Sequence, residues 1–254
     1  MIELLKEQKQ VIINDAVTGK IDVSTGKPHP KYKDSGVEWL GMVPEEWDVR
    51  KLKYVAKLKS GDGITSEKIS DTGDYHVFGG NGIRGFTTSF THEGSYVLIG
   101  RQGALCGNIN YASGKFWASE HAVVVSPIDV TDVVWLGETL RTMNLNQYSI
   151  AAAQPGLSVE RILNLAMPYP ILPDQQAISN YISKGISKLN SITSSVLNEI
   201  SFLQEYRNRL IADAVTGKVD VRDVSVPEFE NASDVIYKET DENDIEEIEE
   251  QAVN

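Results

Sequence analysis

Residues 200–221 read ISFLQEYRNRLIADAVTGKVDV, and residues 2–23 read IELLKEQKQVIINDAVTGKIDV. Laid over one another at an offset of 198 residues they agree at 12 of 22 positions, and the hexapeptide DAVTGK is common to both. The chain carries one element twice. In the second copy this element closes a long helical pattern that starts near Pro173 and Asp174, where the proline ends an extended stretch and the aspartate has the chemistry of an N-cap. Steps of seven from Ile182 reach Leu189, Val196, Leu203 and Leu210, all apolar, while the alternate row of Ile186, Thr193, Ile200, Arg207 and Ala214 is mixed. One apolar seam along roughly 60 Å of helix predicts packing against a single partner helix. Gly217 supplies the C-terminal stop, with Lys218 beside the carbonyl end. Carried back through the repeat, Leu5 and Ile12 fall on the same seam, so residues 1–23 read as the end of an equivalent helix and the chain as one half of a two-part design.

Outward from the repeat, residues 24–47, STGKPHPKYKDSGVEWLGMVPEEW, are rich in Gly, Pro and charge and read as a linker with an aromatic anchor at Trp47. Residues 48–173 follow as a globule. Its segments YHVF, RGFTT, YVLIG, ALCGNINY and HAVVVS are short and strand-like, separated by glycines. VVWLGETLRTMN, after a candidate cap at Asp132, and SVERILNLA read as helices, and MPYPIL as an extended edge or connecting segment. The expectation is an α+β globule, then a long helix over residues 174–221 that packs against one partner helix.

The net charge of −12 is unevenly placed. Residues 222–254 hold 12 Asp/Glu against 2 Lys/Arg, leaving 24 acidic and 22 basic residues in the rest of the chain. A segment such as ETDENDIEEIEE cannot bury enough apolar surface to offset its ordering entropy, so residues 222–254 are expected to form an acidic, disordered tail beside a nearly neutral body. There is no apolar run of the roughly 18 residues a membrane span needs and no apolar core to a leader in MIELLKEQKQ. A single Cys106 fits a reducing compartment. A cytoplasmic protein without membrane contact is expected.

Three glycine-rich stretches invite enzymatic readings. Gly80 to Gly85 fits G-x-G-x-x-G, but a β-like FTTSF follows where a dinucleotide site needs a helix N-terminus. FGGNG at Phe78 to Gly82 fits a stretch seen in S-adenosylmethionine-dependent adenine methyltransferases, yet their Asn/Asp-Pro-Pro-Tyr/Phe motif is absent. Gly100 to Gly107 has the glycines of a phosphate loop without its Lys-Ser/Thr. His76, His92, His121 and Cys106 show neither metal-ligand spacing nor the local context of a nucleophile. Catalytic, cofactor-binding and metal residues are therefore expected to be absent from this chain. A methyltransferase fragment using FGGNG and a coiled-coil scaffold that reads nothing remain as alternatives.

The glycine stretches are better read as tight turns that bring polar side chains close to a ligand. Asn81 and Gln102 are suited to adenine, Arg84 and Arg101 to guanine, and Lys115, His121 and Arg161 to phosphate or acceptor edges. Gln154 and Ser158, in QPGLSVER, complete the set of candidate DNA contacts. Ile182, Leu189, Val196, Leu203 and Leu210 are the candidate contacts of the helix seam.

With those residues on the page, the chain resembles a known family. YKDSGVEWLGMVPEEW is similar to the central stretch of type I restriction-modification specificity subunits, and GGNGIRGF, IGRQGALCGNINY and WASEHAVVV resemble one class of their target recognition domains. QPGLSVERILNLAMPYPILPDQQAISNYI resembles the junction into their spacer helix. The resemblance implies a half-length form with one target recognition domain where a full subunit has two, and a long spacer helix that packs in an antiparallel coiled coil. It implies double-stranded DNA as ligand, methyltransferase subunits that bring S-adenosylmethionine, and restriction subunits as further partners. A homodimer through the long helix is expected to direct adenine methylation to a palindromic split site.

Overall fold

The computed structural model describes residues 2–103, 105–149, 156–222 and 224. Two compact units emerge: Lys6–Ile186, and a smaller one of Met1–Leu5 with Ser187–Asn254.

The larger unit takes helix α1, Ile2–Val17, from Lys6 onward, and the segment read as a linker contains a hairpin of β1 (Tyr32–Asp34) and β2 (Met42–Pro44). Trp47 is buried as expected of an anchor, and Trp39 donates to the Ala166 carbonyl. Strand β3 (Asp48–Lys51) pairs antiparallel with a late strand over Ala166–Tyr169, so MPYPIL does close an edge. Between them lie β4 (Ala56–Ser60), β5 (Tyr75–Gly79), β6 (Gly82–Thr87), β7 (His92–Glu93), β8 (Tyr96–Gly100), β9 (Ile109–Ala112), β10 (Lys115–Ala118) and β11 (Ala122–Pro127). The Ala166–Tyr169 strand is β12. One sheet has the order β4-β11-β8-β9 and is antiparallel; the other has the order β6-β5-β10-β7, with β5 and β10 parallel.

Alternation along β8 and β11 joins the two sheets. Val97, Ile99, Val123 and Val125 point to one face, where they enter the main core, and Leu98 and Val124 point to the other, against Phe78, Phe116 and Ala118 of the second sheet. Burial on both faces is why YVLIG and HAVVV are continuous apolar runs. Helix α2, Val133–Thr142, covers the main-core face with Trp135, Leu136 and Leu140. Asp132 caps it by accepting from the Trp135 amide at 2.9 Å. Helix α3, Val159–Leu163, follows with Ser158 as its cap.

The long helix is α4, Leu172–Val215. It starts earlier than the Pro173-Asp174 pair suggests, because proline is tolerated in a first turn, where its missing N–H would have had no partner. Asp174 thus lies inside the first turn, and burial with Glu46 nearby raises its pKa. Gln175 holds the helix start in place, accepting from the Asp132 amide and donating to the Pro170 carbonyl. Ile178 and Ile182 share the core with Ile13, Ala16 and Val17 of α1, and Gly185 lets Ile12 approach closely. The expected seam is thus occupied at Ile182. In the smaller unit Leu5, Leu189 and Thr193 are buried, Val196 is half-buried, and Leu203 and Leu210 are exposed.

Candidate nucleic-acid interface

Three connections of the larger unit meet at one end of the paired sheets: the β5–β6 turn at Gly79–Gly82, the β8–β9 loop after Gly100, and the β10–β11 turn at Ser119–His121. Backbone hydrogen bonds lace them together. Arg101 N donates to His121 O at 2.9 Å, Ser119 N to Phe78 O at 2.9 Å, and Gly107 N to Gly100 O at 2.8 Å. Leu157 N donates to Arg101 O at 3.0 Å and Gln102 bridges to Gly156, which ties the segment before α3 to the same loop. The approach of the first two turns is possible only without a side chain at Gly100, where a methyl group would collide with the Gly80 carbonyl oxygen.

Side chains of several candidate residues gather there. Asn81 is exposed, and its Oδ1 accepts from Asn108 Nδ2 at 2.6 Å, which fixes the amide while leaving its NH2 to donate. Arg101 is half-buried and donates to Ser60 Oγ at 3.2 Å, which holds one arm of the guanidinium and leaves the rest of the fork open. Gln102 is exposed. His121 lies 3.1 Å from Glu120, Nε2 to Oε1. Arg84 is exposed on β6, its aliphatic stem over Gly79. Ser158 accepts from the Arg161 amide, and the Arg161 guanidinium stands 5.7 Å from the Tyr148 ring. Lys115 sits at the opposite end of β10 from the Ser119–His121 turn, opposite Glu93 and over the Phe90 ring at 4.8 Å. Gln154 lies outside the described residues.

Asn108, Asn110 and Glu120 also belong to this cluster and were not singled out from sequence. Asn108 orients Asn81, and Asn110 Nδ2 and Glu120 Oε2 are buried without a hydrogen-bond partner. The stretch GNIN, two asparagines beside a turn glycine, was the available signal. Cys106 is buried in the main core, with Asn146 Nδ2 3.4 Å from its sulfur. Among the described residues no cluster of His, Cys, Asp or Glu is arranged to hold a metal ion, and no helix is long and apolar enough to cross a membrane. FGGNG forms a hairpin turn between two strands, with no helix N-terminus behind it.

The arrangement is a rigid platform of converging turns that presents amide and guanidinium groups from separate loops, the chemistry that reads base edges. A family model described as type I restriction modification DNA specificity domain matches residues 44–201. The chain belongs to that family. It is 41% identical over 146 residues to the type I restriction enzyme EcoprrI specificity subunit of Escherichia coli, a match that covers 56% of this chain and 36% of the relative. The matched stretch thus spans about a third of the length of that relative. Its fold is similar to the HsdS subunit from Thermoanaerobacter tengcongensis, with TM-score 0.56 and 15% identity over 86% of this chain and 52% of that one. A chain from the structural work on complex assembly and conformational transition of the type I R-M system gives TM-score 0.59 and 16% identity over 84% and 53%. The specificity-domain match includes all three converging turns and the α4 seam as far as its last buried residues.

Proposed function

We propose that this specificity-domain chain is the DNA sequence-recognition subunit of a type I restriction-modification system and carries no catalytic step itself. Adenine methylation belongs to methyltransferase subunits that bring S-adenosylmethionine, with restriction subunits as further partners, in the cytoplasm. The observation that supports this reading best is the convergence of Asn81, Arg101, Gln102 and His121 from three hydrogen-bonded turns. Pairing groups held on a rigid platform discriminate bases, whereas the same groups on independent loops would bind any sequence. Arg84, Ser158 and Arg161 flank the cluster, and Lys115 is better placed for a phosphate than for a base. With a nearly neutral body, phosphate affinity must come largely from partner subunits. The chain acts as a homodimer through α4, which places two identical recognition surfaces about a twofold axis and demands an inverted, split site.

Selection from a random duplex library by the chain assembled with its methyltransferase subunits tests this. Recovery of a bipartite palindromic motif is expected. A library recovered without sequence bias would overturn the reading, and an asymmetric motif would overturn its twofold part.

A further inference from the structure

The two copies of the repeated element have the same local structure and opposite surroundings. In each, the threonine hydroxyl donates back to the carbonyl four residues earlier, Thr18 to Asn14 at 2.6 Å and Thr216 to Ala212 at 2.7 Å. The lysine amide donates to the aspartate carbonyl, Lys20 to Asp15 at 2.9 Å and Lys218 to Asp213 at 2.8 Å, and the side chains of the same pairs lie 3.4 and 3.2 Å apart. The glycines match too, with φ of 73° at Gly19 and 72° at Gly217.

Around the first copy the turn is seated. A methyl at Gly19 would meet the Pro44 ring and the Trp47 indole, Tyr32 OH donates to the Lys20 carbonyl at 2.9 Å, and Ile13, Ala16 and Val17 share a core cluster with Trp47, Ile178 and Ile182. Around the second, a methyl at Gly217 would meet nothing. Leu5, Ile13 and Val17 are 8%, 6% and 0% exposed, and their counterparts Leu203, Ile211 and Val215 are 61%, 57% and 82% exposed. A folded helix end that leaves such a row in water forfeits the apolar burial its twin obtains.

We propose that the end of α4, residues 200–221, docks on the seat formed by Pro44, Trp47, Ile178 and Ile182 of a second copy of this chain, and that α1 is an intramolecular stand-in that must leave that seat first. The occupant follows from the sequence: the seat already holds this element, and 12 of 22 positions, including the whole DAVTGK turn, are the same in the copy that is bare. The inference rests on the twofold reading above and gives it a surface and a brake. Because one copy replaces its near-identical twin, the exchange gains little apolar burial from the repeat itself, and the tethered α1 competes at high effective concentration. Association of the chain alone is therefore weak and is set by how firmly α1 is seated.

Equivalent substitutions in the two copies must then act with opposite sign. Sedimentation velocity at matched concentrations is expected to show Ile13→Ser strengthening self-association, since it loosens only the stand-in, and Ile211→Ser weakening it, each on the order of tenfold for a buried isoleucine. A chain with Ile12→Cys and Gly185→Cys, oxidised to lock α1 in the seat, should stay monomeric and, when reduced, associate at least as strongly as wild type. This second arm does not depend on loosening the core. Wild-type dimers together with equal association of the locked and reduced forms, or weakening by both serine variants, would overturn the exchange while leaving the twofold reading intact. A wild-type chain that never associates, alone or with its methyltransferase, would overturn both, and the recovered DNA motif would still judge sequence recognition separately.

Discussion

Gly100→Ala probes the convergence of the turns most sharply, because the defect is built in the backbone and touches no candidate base-reading side chain. The added methyl would sit inside contact distance of the Gly80 carbonyl oxygen and 3.0 Å from that of Leu105, so the β5–β6 turn and the β8–β9 loop must separate. Backbone on both sides leaves no flexible side-chain tip to yield. Overpacking of this kind costs about 1–3 kcal/mol. For a chain of this size that lowers Tm by about 2–4 °C per kcal/mol. The consequence for recognition is larger than for the fold. Asn81 and Asn108 lie on opposite sides of the gap, joined at 2.6 Å, and Arg101 takes its place from the His121 carbonyl on a third turn. A shift of an ångström takes these groups out of hydrogen-bond register, and each bidentate pair lost removes about 1–3 kcal/mol of discrimination. Gly63→Ala is the matched control: it is exposed, and a methyl there meets nothing within 4 Å. Thermal melts of both variants, with methylation by the assembled complex as the second readout, should show a small loss of Tm and a large loss of sequence-specific methylation for Gly100→Ala and neither for Gly63→Ala. Unchanged methylation at an unchanged motif in Gly100→Ala would refute the convergence as the source of specificity.

Three further outcomes follow. Arg101→Ala should relax or abolish one base preference, about 1–3 kcal/mol at that position, with little change in Tm, because only Ser60 loses a partner; methylome mapping reads it. Asp132→Ala should cost about 1 kcal/mol in chemical denaturation, since it removes the α2 cap and leaves the Ser179 hydroxyl, which donates to the same carboxylate, without its acceptor. Asp174→Asn should raise Tm at neutral pH. The folded pKa of Asp174 is raised by burial and by Glu46, so the folded state binds the proton more tightly and stability is lost as pH rises from the unfolded value of about 3.9 through the folded one. The gain from asparagine should vanish in melts at lower pH, where the carboxyl is already neutral.

The long helix was legible because a seven-residue period kept over four steps, about eight turns, leaves few alternatives, and the strands in YHVF, RGFTT, YVLIG, ALCGNINY and HAVVVS were legible because glycines separate their apolar runs. Burial along the seam was legible only in part. Period places Ile182, Leu189, Leu203 and Leu210 on one face, but exposure depends on what lies opposite, and only the first two are covered. The hairpin inside residues 24–47 was hidden by composition, since YKD and MVP are too short for alternation to register. At the candidate site the glycine turns were legible as turns, whereas the Arg101–His121 and Leu157–Arg101 bonds join positions far apart in sequence and only tertiary structure brings them together. The same holds for Lys115, whose strand, Lys115–Ala118, was not among the segments read as strands and whose place at its far end only the pairing with β5 and β7 reveals.

The central claim, that this chain determines which DNA sequence is modified, is tested most directly by expressing the methyltransferase subunits with and without the chain in a host lacking other adenine methylation and mapping modified adenines across the genome. The account expects a bipartite motif that appears only with the chain and that Arg101→Ala alters. The same motif in its absence, or none in its presence with the complex assembled, would contradict it.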